Sequence, residues 1–130
     1  MKREQIEKFQ RILPQLQAFH SEFEGLTKKA ANSPLNSFKL RIVNQAIASA
    51  NEVLGAELLP IGGFSQFDDT ELPSNSDVSM VLAQYLEAVE ILRARNIKSD
   101  PIGRWYWNTD GGEYDPDMTT APPRRGMSLK

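Results

Sequence analysis

The sequence predicts an all-α fold, an antiparallel three-helix bundle that ends in a C-terminal aromatic arm and a flexible or extended tail. Apolar residues recur every three or four positions in three segments, the spacing of a single helix face. Glycine, proline and N-cap residues bound these segments. Because amphipathic helices must bury their apolar faces, three of them predict a bundle over 1–101. The arm then covers 102–115 and the tail 116–130.

The first helical segment runs from about Arg3 to Lys29. Pro14 lies inside it. An interior proline removes a backbone hydrogen bond and costs about 3 kcal/mol, so we expect a kink or a break just before it. The apolar face consists of seven residues: Ile6, Phe9, Leu13, Leu16, Phe19, Phe23 and Leu26.

The second segment has the clearest boundary signals. Ser33 is a suitable N-cap, and Pro34 then occupies the first helical position, where its missing N–H is no loss. Gly55 suits a left-handed C-cap. The predicted buried stripe consists of Leu35, Phe38, Ile42, Ala46, Ala50 and Val53, with Val43, Ile47 and Leu54 beside it.

Residues 56–73 break the helical pattern with two prolines and two glycines. Their apolar content predicts an ordered connection that packs against the bundle and contains one short helical turn. The third helix is expected to begin at Ser74, Asn75 or Ser76, with Asp77 at the positive end of its dipole. Its apolar face runs from Val78 to Leu92, and the sequence Asp100-Pro101 is expected to end it.

The stretch RWYWNTDGGEYD, residues 104–115, contains both tryptophans. Side chains alternate along an extended chain, so we expect Trp105 and Trp107 to pack on the bundle and Tyr106 to be more exposed. A short hairpin from Ile102 to Asp115 is one option. The tail that follows is poor in apolar residues, so its deletion is expected to change stability little.

Charge is distributed unevenly along a chain whose net charge is only −2. Residues 56–90 contain seven acidic residues and no Lys or Arg. Such a block is either a solvated face or a surface that attracts a basic partner. Asp68, Asp69 and Glu71 form its densest part.

Several chemistries have little support in the sequence. The chain has no cysteine, which excludes disulfides and thiolate chemistry. The only histidine, His20, lies at the edge of the first apolar face without a nucleophile motif beside it. Neither the acids of 110–117, which are Asp110, Glu113, Asp115 and Asp117, nor the pair Glu87 and Glu90 matches a metal motif. We therefore predict no catalytic residues, no metal and no cofactor.

These patterns favour a non-enzymatic, cytoplasmic protein-binding module, an adaptor, regulator or inhibitor. It is expected to act through the acidic connection of residues 68–77 and the C-terminal aromatic arm, on a partner with a basic surface. One alternative is an inhibitor of the phage or mobile-element type that presents acidic charge to a nucleic-acid-binding protein. Another is a small carboxylate-dependent enzyme. Direct nucleic-acid binding is disfavoured, because only Arg104 lies near the aromatic residues. No apolar run is long enough to span a membrane, and self-association stays open. The predicted partner-binding residues are Asp68, Asp69, Glu71, Asp77, Tyr106 and Tyr114.

Overall fold

A computed structural model describes residues 1–112 and 114–124. Three helices account for most of them, and a small antiparallel sheet follows, so the fold is mostly helical rather than all-α. The helices are α1 (Arg3–Ala30), α2 (Ser37–Leu54) and α3 (Asn75–Ala94), and the strands are β1 (Ile97–Ser99), β2 (Trp105–Trp107) and β3 (Thr119–Thr120). Two short 3₁₀ turns lie at Ala56–Leu58 and Pro116–Met118.

Contacts between helix ends define the direction of each helix. Lys8 near the start of α1 bonds Glu52 near the end of α2 at 2.8 Å, so these two helices are antiparallel. The Asn75 side chain at the start of α3 donates to the Ala30 carbonyl at the end of α1, which makes this pair antiparallel as well. The start of α2 also meets the start of α3, because Leu35 N–H donates to the Pro73 carbonyl. Helices α2 and α3 are therefore parallel to each other, and α1 is antiparallel to both.

The parallel pair explains the long connection between α2 and α3. After α2 the chain must return along a helix of 18 residues, about 27 Å, before α3 can begin at the same end. Gly55 ends α2 at the predicted position, with a φ of 76°, a positive value that favours glycine. The predicted short helical turn follows immediately at Ala56–Leu58.

Helix α1 runs through Pro14 without interruption, and a kink at this point stays a prediction. Helix α2 begins later than predicted: Asn36, not Ser33, is the N-cap, and its side-chain oxygen accepts a hydrogen bond from Lys39 N–H. Pro34 instead pairs with Ser74 in an isolated β-bridge. Phe38 belongs to the predicted buried stripe but is not buried, because 59% of its side chain is exposed.

Helix α3 begins as predicted but ends earlier. Ser74 is its N-cap and forms a capping box with Asp77, in which each side chain bonds the other residue's backbone N–H. The helix stops at Ala94, six residues before the expected stop at Asp100-Pro101, because residues 97–99 form β1 instead.

The sheet has the order β1-β2-β3 and is antiparallel throughout. Ile97 pairs with Trp107, and Trp105 pairs with Thr120. The predicted hairpin within 102–115 is therefore wrong, because β2 pairs with segments on both sides of that stretch. Trp107 is fully buried and meets the Phe9 ring of α1 edge-on at 4.9 Å.

The exposure predicted for the three aromatic residues of β2 is wrong for two of them. Trp107 is buried as expected, but Trp105 is only half-buried, and Tyr106 is 6% exposed. The second face of β2 is covered as well, by residues outside the strand. Tyr114 packs on the Tyr106 ring at 5.2 Å, and the Tyr106 hydroxyl donates to the Asp100 carboxylate at 3.2 Å.

The first part of the predicted tail is packed on the core. Met118 is 4% exposed and belongs to the hydrophobic core. Buried Arg93 of α3 then holds the chain beyond it, donating to the Thr120 hydroxyl and to the carbonyls of Ala121 and Pro122. Residues 125–130 lie outside the described part of the chain, so the prediction for them stays untested.

Asp100 stabilises the turn between β1 and β2. Its carboxylate accepts hydrogen bonds from the N–H groups of Ile102 and Arg104, from the Arg104 guanidinium and from the Tyr106 hydroxyl. Burial alone would raise the pKa of Asp100, but these donors outweigh it and hold the pKa below its usual value.

This lowered pKa predicts acid sensitivity. The folded state binds the Asp100 proton less readily than the unfolded chain, so the stabilisation is present above the unfolded pKa near 3.9 and is lost as pH falls through the folded value. We expect Asp100→Asn to flatten the fall in thermal midpoint between about pH 5 and pH 2. An equal slope in wild type and variant would contradict this role, and Asp69→Asn, on an exposed loop, serves as the control.

Candidate protein-binding surface

The connection between α2 and α3 is held in place by two asparagines of α2. The Asn44 amide donates to the Phe67 carbonyl at 3.0 Å and accepts from Phe67 N–H at 2.9 Å. Asn51 donates to the Ser65 carbonyl at 2.8 Å and accepts from the Tyr85 hydroxyl at 2.6 Å. These bonds supply partners to loop backbone groups that no strand satisfies, so the loop has a defined position.

Apolar side chains of the same loop complete the attachment. Phe64 and Phe67 meet edge-on at 5.1 Å, and both pack partly buried against the core. The prediction of an ordered connection that packs on the bundle is consistent with these contacts. The acidic residues that follow Phe67 are therefore presented from a fixed loop.

We call residues 68–77 the acidic connection. Asp68 accepts hydrogen bonds from the backbone N–H and the hydroxyl of Thr70, at 2.9 and 2.7 Å, and these donors lower its pKa. Asp68 therefore stays ionised well below neutral pH. Asp77 caps α3, whereas Asp69 and Glu71 are exposed.

The acidic block is only partly neutralised by the chain itself. Of its seven acids, Glu87 bonds Arg124 and Glu90 bonds Arg93. In the part of the chain that the structure describes, the other five form no salt bridge: Glu57, Asp68, Asp69, Glu71 and Asp77. Four of these five belong to the acidic connection, which is therefore a negative surface without salt bridges among the described residues.

An open groove of about 490 Å³ lies between α2 and the acidic connection. Asp69 and Gln66 line its loop side, and Arg41 and Gln45 line its helix side. The Arg41 guanidinium lies 5.5 Å from the centre of the Phe38 ring, so this cation is directed along the helix surface. The groove gives the negative surface a concave edge.

Two exposed apolar side chains accompany the acids. Leu72, inside the acidic connection, is 42% exposed, and Met80, one turn beyond Asp77 on α3, is 59% exposed. The sequence left Met80 off the buried face of α3 without marking it as a contact residue. The signal was present, because 77, 80, 84 and 87 recur at helical spacing on the face opposite Val78, Val81 and Leu82.

The structure separates the two tyrosines from the predicted acidic site. Tyr106 is buried in the sheet. Tyr114 is 47% exposed, donates to the Ser99 carbonyl and lies 4.8 Å from the Lys98 ammonium. Of the two, only Tyr114 has a surface that another protein can contact directly.

Three acids of 110–117 lie beside two cations near the start of the chain. Arg3 bonds Asp115 at 2.6 Å and lies 3.7 Å from Asp117, while the N-terminal amine lies 3.4 Å from Asp110. His20 lies 4.0 Å from Glu24, on the same helix. Glu113 lies outside the described residues. Over residues 1–112 and 114–124, no group of three or more His, Asp or Glu residues is placed to hold a metal ion.

Comparison with protein-family models, with curated proteins and with solved structures finds no match to this chain. Within the described residues, no helix combines the length and the apolar character needed to cross a lipid bilayer.

Proposed function

We propose that this protein is a non-enzymatic binding module that recognises a basic surface of another protein through the acidic connection. The observation that carries the proposal is a cluster of four acids that lack salt-bridge partners in the described chain, three in the loop and one in the first turn of α3, beside exposed Leu72 and Met80. Like charges that cluster on one surface repel one another and attract a surface of opposite charge, so a basic partner would relieve the repulsion.

The mixture of charge and apolar area supports a protein partner. Interfaces combine apolar anchors with a polar rim, and methionine is enriched among interface residues. Leu72 and Met80 would supply the anchors, and Asp69 and Glu71 the rim. Nucleic acid is an unsuitable direct ligand for this surface because both carry negative charge.

A narrower form of the proposal is that the partner itself binds nucleic acid. Its basic surface would then be the one that ordinarily contacts phosphates, and this protein would act as an inhibitor. Competition separates the two forms. A DNA or RNA ligand of the captured partner should displace the inhibitor, but it should leave an adaptor bound at another surface.

The first test is a pull-down from native cell extract that compares the immobilised wild-type chain with an immobilised variant, Asp69→Asn/Glu71→Gln. We expect the wild-type chain to retain a basic protein that this variant retains several-fold less. Stability should change by less than about 0.5 kcal/mol, because exposed charges away from a cap contribute little.

A matched control removes two acids elsewhere. Glu4→Gln/Glu24→Gln changes the net charge equally on α1, outside the acidic connection. If this control loses the partner as strongly as the first variant, net charge rather than the acidic connection determines binding, and the proposed site is wrong.

A further inference from the structure

A second surface, unlike the acidic connection in both chemistry and charge, lies between α1 and α2. A groove of about 170 Å³ is formed by apolar side chains of both helices. Its lining residues are Phe19, Glu22, Phe23, Leu26, Lys39, Ile42 and Val43. Only the two charged side chains interrupt the apolar lining, and they lie on opposite walls, Glu22 on α1 and Lys39 on α2.

An exposed aromatic side chain, which has the Arg41 guanidinium over its ring, lies beside this groove. Phe38 precedes Ile42 by four residues on α2, so the two side chains are neighbours on one helix face. Ile42 lines the groove, whereas 59% of Phe38 is exposed to solvent. The same face of the molecule therefore offers both an apolar groove and an apolar side chain that could fill a similar groove.

The charges beside the groove are also self-complementary. Neither Glu22 nor Lys39 forms a salt bridge within the described residues. In a two-fold contact the same patch faces itself, so an acid on one wall and a base on the other can pair twice across the axis. The acidic connection lacks this property, because its single sign would repel a second copy.

We propose that the α1/α2 groove is the interface of a symmetric homodimer, in which Phe38 of each copy enters the groove of the other and Glu22 pairs with Lys39 across the two-fold axis. The axis passes near the first turn of α2, which makes the two α2 helices antiparallel. This places each Phe38 beside the other copy's Ile42.

The expected dimer is weak and reversible. A standard interface covers roughly 800 Å² on each copy, about a tenth of the 7944 Å² accessible surface of this chain. The groove and Phe38 supply only part of such an area, so we expect dissociation constants in the micromolar range, typical of small transient interfaces.

Sedimentation velocity over a concentration series tests the proposal. We expect concentration-dependent dimerisation of the wild type and at least a tenfold weaker dimer for Phe38→Ala, because a central aromatic anchor commonly dominates a small interface. Ile102→Ala is the matched control, since it also removes an exposed apolar side chain but lies on the strand turn. A wild type that stays monomeric up to about 1 mM, at which a millimolar dissociation constant would be detected, overturns the proposal. So does a dimer that tolerates Phe38→Ala.

Reversing the charge of Glu22 or of Lys39 tests whether a second copy of this chain occupies the α1/α2 groove. Glu22→Lys and Lys39→Glu should each weaken self-association, because like charges then face each other across the axis. Mixing the two variants should restore dimers, since each now complements the other. Failure to restore association on mixing would contradict the pairing. Asp69→Asn/Glu71→Gln should dimerise like the wild type, so this test and the test of the acidic connection can fail independently.

Discussion

Replacing Trp107 with alanine is expected to lower the free energy of unfolding by about 3–5 kcal/mol, the usual cost of truncating a buried tryptophan. Trp107 is 1% exposed and packs edge-on against Phe9, so the substitution leaves a cavity where the sheet meets α1. For a chain of this length the corresponding fall in thermal midpoint is roughly 10–20 °C. Thermal denaturation followed by circular dichroism measures it.

Trp105→Ala is the matched control for this prediction. Trp105 lies on the same strand but is only half-buried, so its truncation should cost clearly less. Equal losses in the two variants would contradict the burial difference. They would instead agree with the expectation from alternation alone, in which both tryptophans pack equally.

Arg93→Leu is expected to destabilise the fold by a similar amount, about 3–5 kcal/mol, because it removes one partner of a buried ion pair. The Arg93 guanidinium makes five hydrogen bonds: two go to the Glu90 carboxylate, and three go to residues 120–122. The substitution leaves Glu90 without its buried cation and releases β3 from α3. Chemical denaturation measures the loss.

Arg95→Leu is the control, since Arg95 is exposed and only two positions away. A double variant, Arg93→Leu/Glu90→Leu, should be more stable than the sum of its single changes predicts, because the unpaired carboxylate is then absent. If Arg93→Leu changes stability no more than Arg95→Leu does, the Arg93 guanidinium does not attach residues 120–122 to α3 as its hydrogen bonds indicate.

The hydrogen bonds of Arg93 to residues 120–122 also reverse the expectation that deleting the tail changes stability little. The sequence of 116–130 is polar and proline-rich, which predicts that its deletion is harmless. Deleting it would remove Met118 from the core and leave Arg93 without three hydrogen-bond acceptors. We therefore expect the deletion to destabilise the fold by an amount comparable to Arg93→Leu.

Local signals predicted the features that depend on neighbouring residues. The start of α3 at one of the three predicted caps, the glycine at the end of α2 and the helical turn after it follow from chemistry within a few positions. The predicted start of α2 is wrong because two suitable N-cap residues, Ser33 and Asn36, lie three positions apart. A bridge between Pro34 and Ser74, which no local pattern reveals, leaves Asn36 as the cap.

The sheet could not be predicted for a related reason. Its strands are two or three residues long, and the partners of β2 lie on both sides of it in sequence. Segments this short carry no reliable periodicity. The burial of Tyr106 depends on Asp100 and Tyr114, which cover the second face of β2 only after the chain has folded.

The candidate site was predicted in composition but not in shape. The acids at 68–77 were evident from charge alone, whereas their fixed presentation depends on Asn44 and Asn51, which bind the loop from α2. Leu72 and Met80 became candidate contact residues only when the structure showed them exposed beside those acids. Their exposure depends on the fold and could not be predicted from the sequence.

The association rate of the captured partner tests the central claim most directly. Surface plasmon resonance at low and at high salt should compare the wild type with Asp69→Asn/Glu71→Gln. Electrostatic attraction acts mainly on association and is screened by salt, so the wild type should associate several-fold faster at low salt, and the two rates should converge at high salt. Equal association rates at low salt would contradict recognition through the acidic connection.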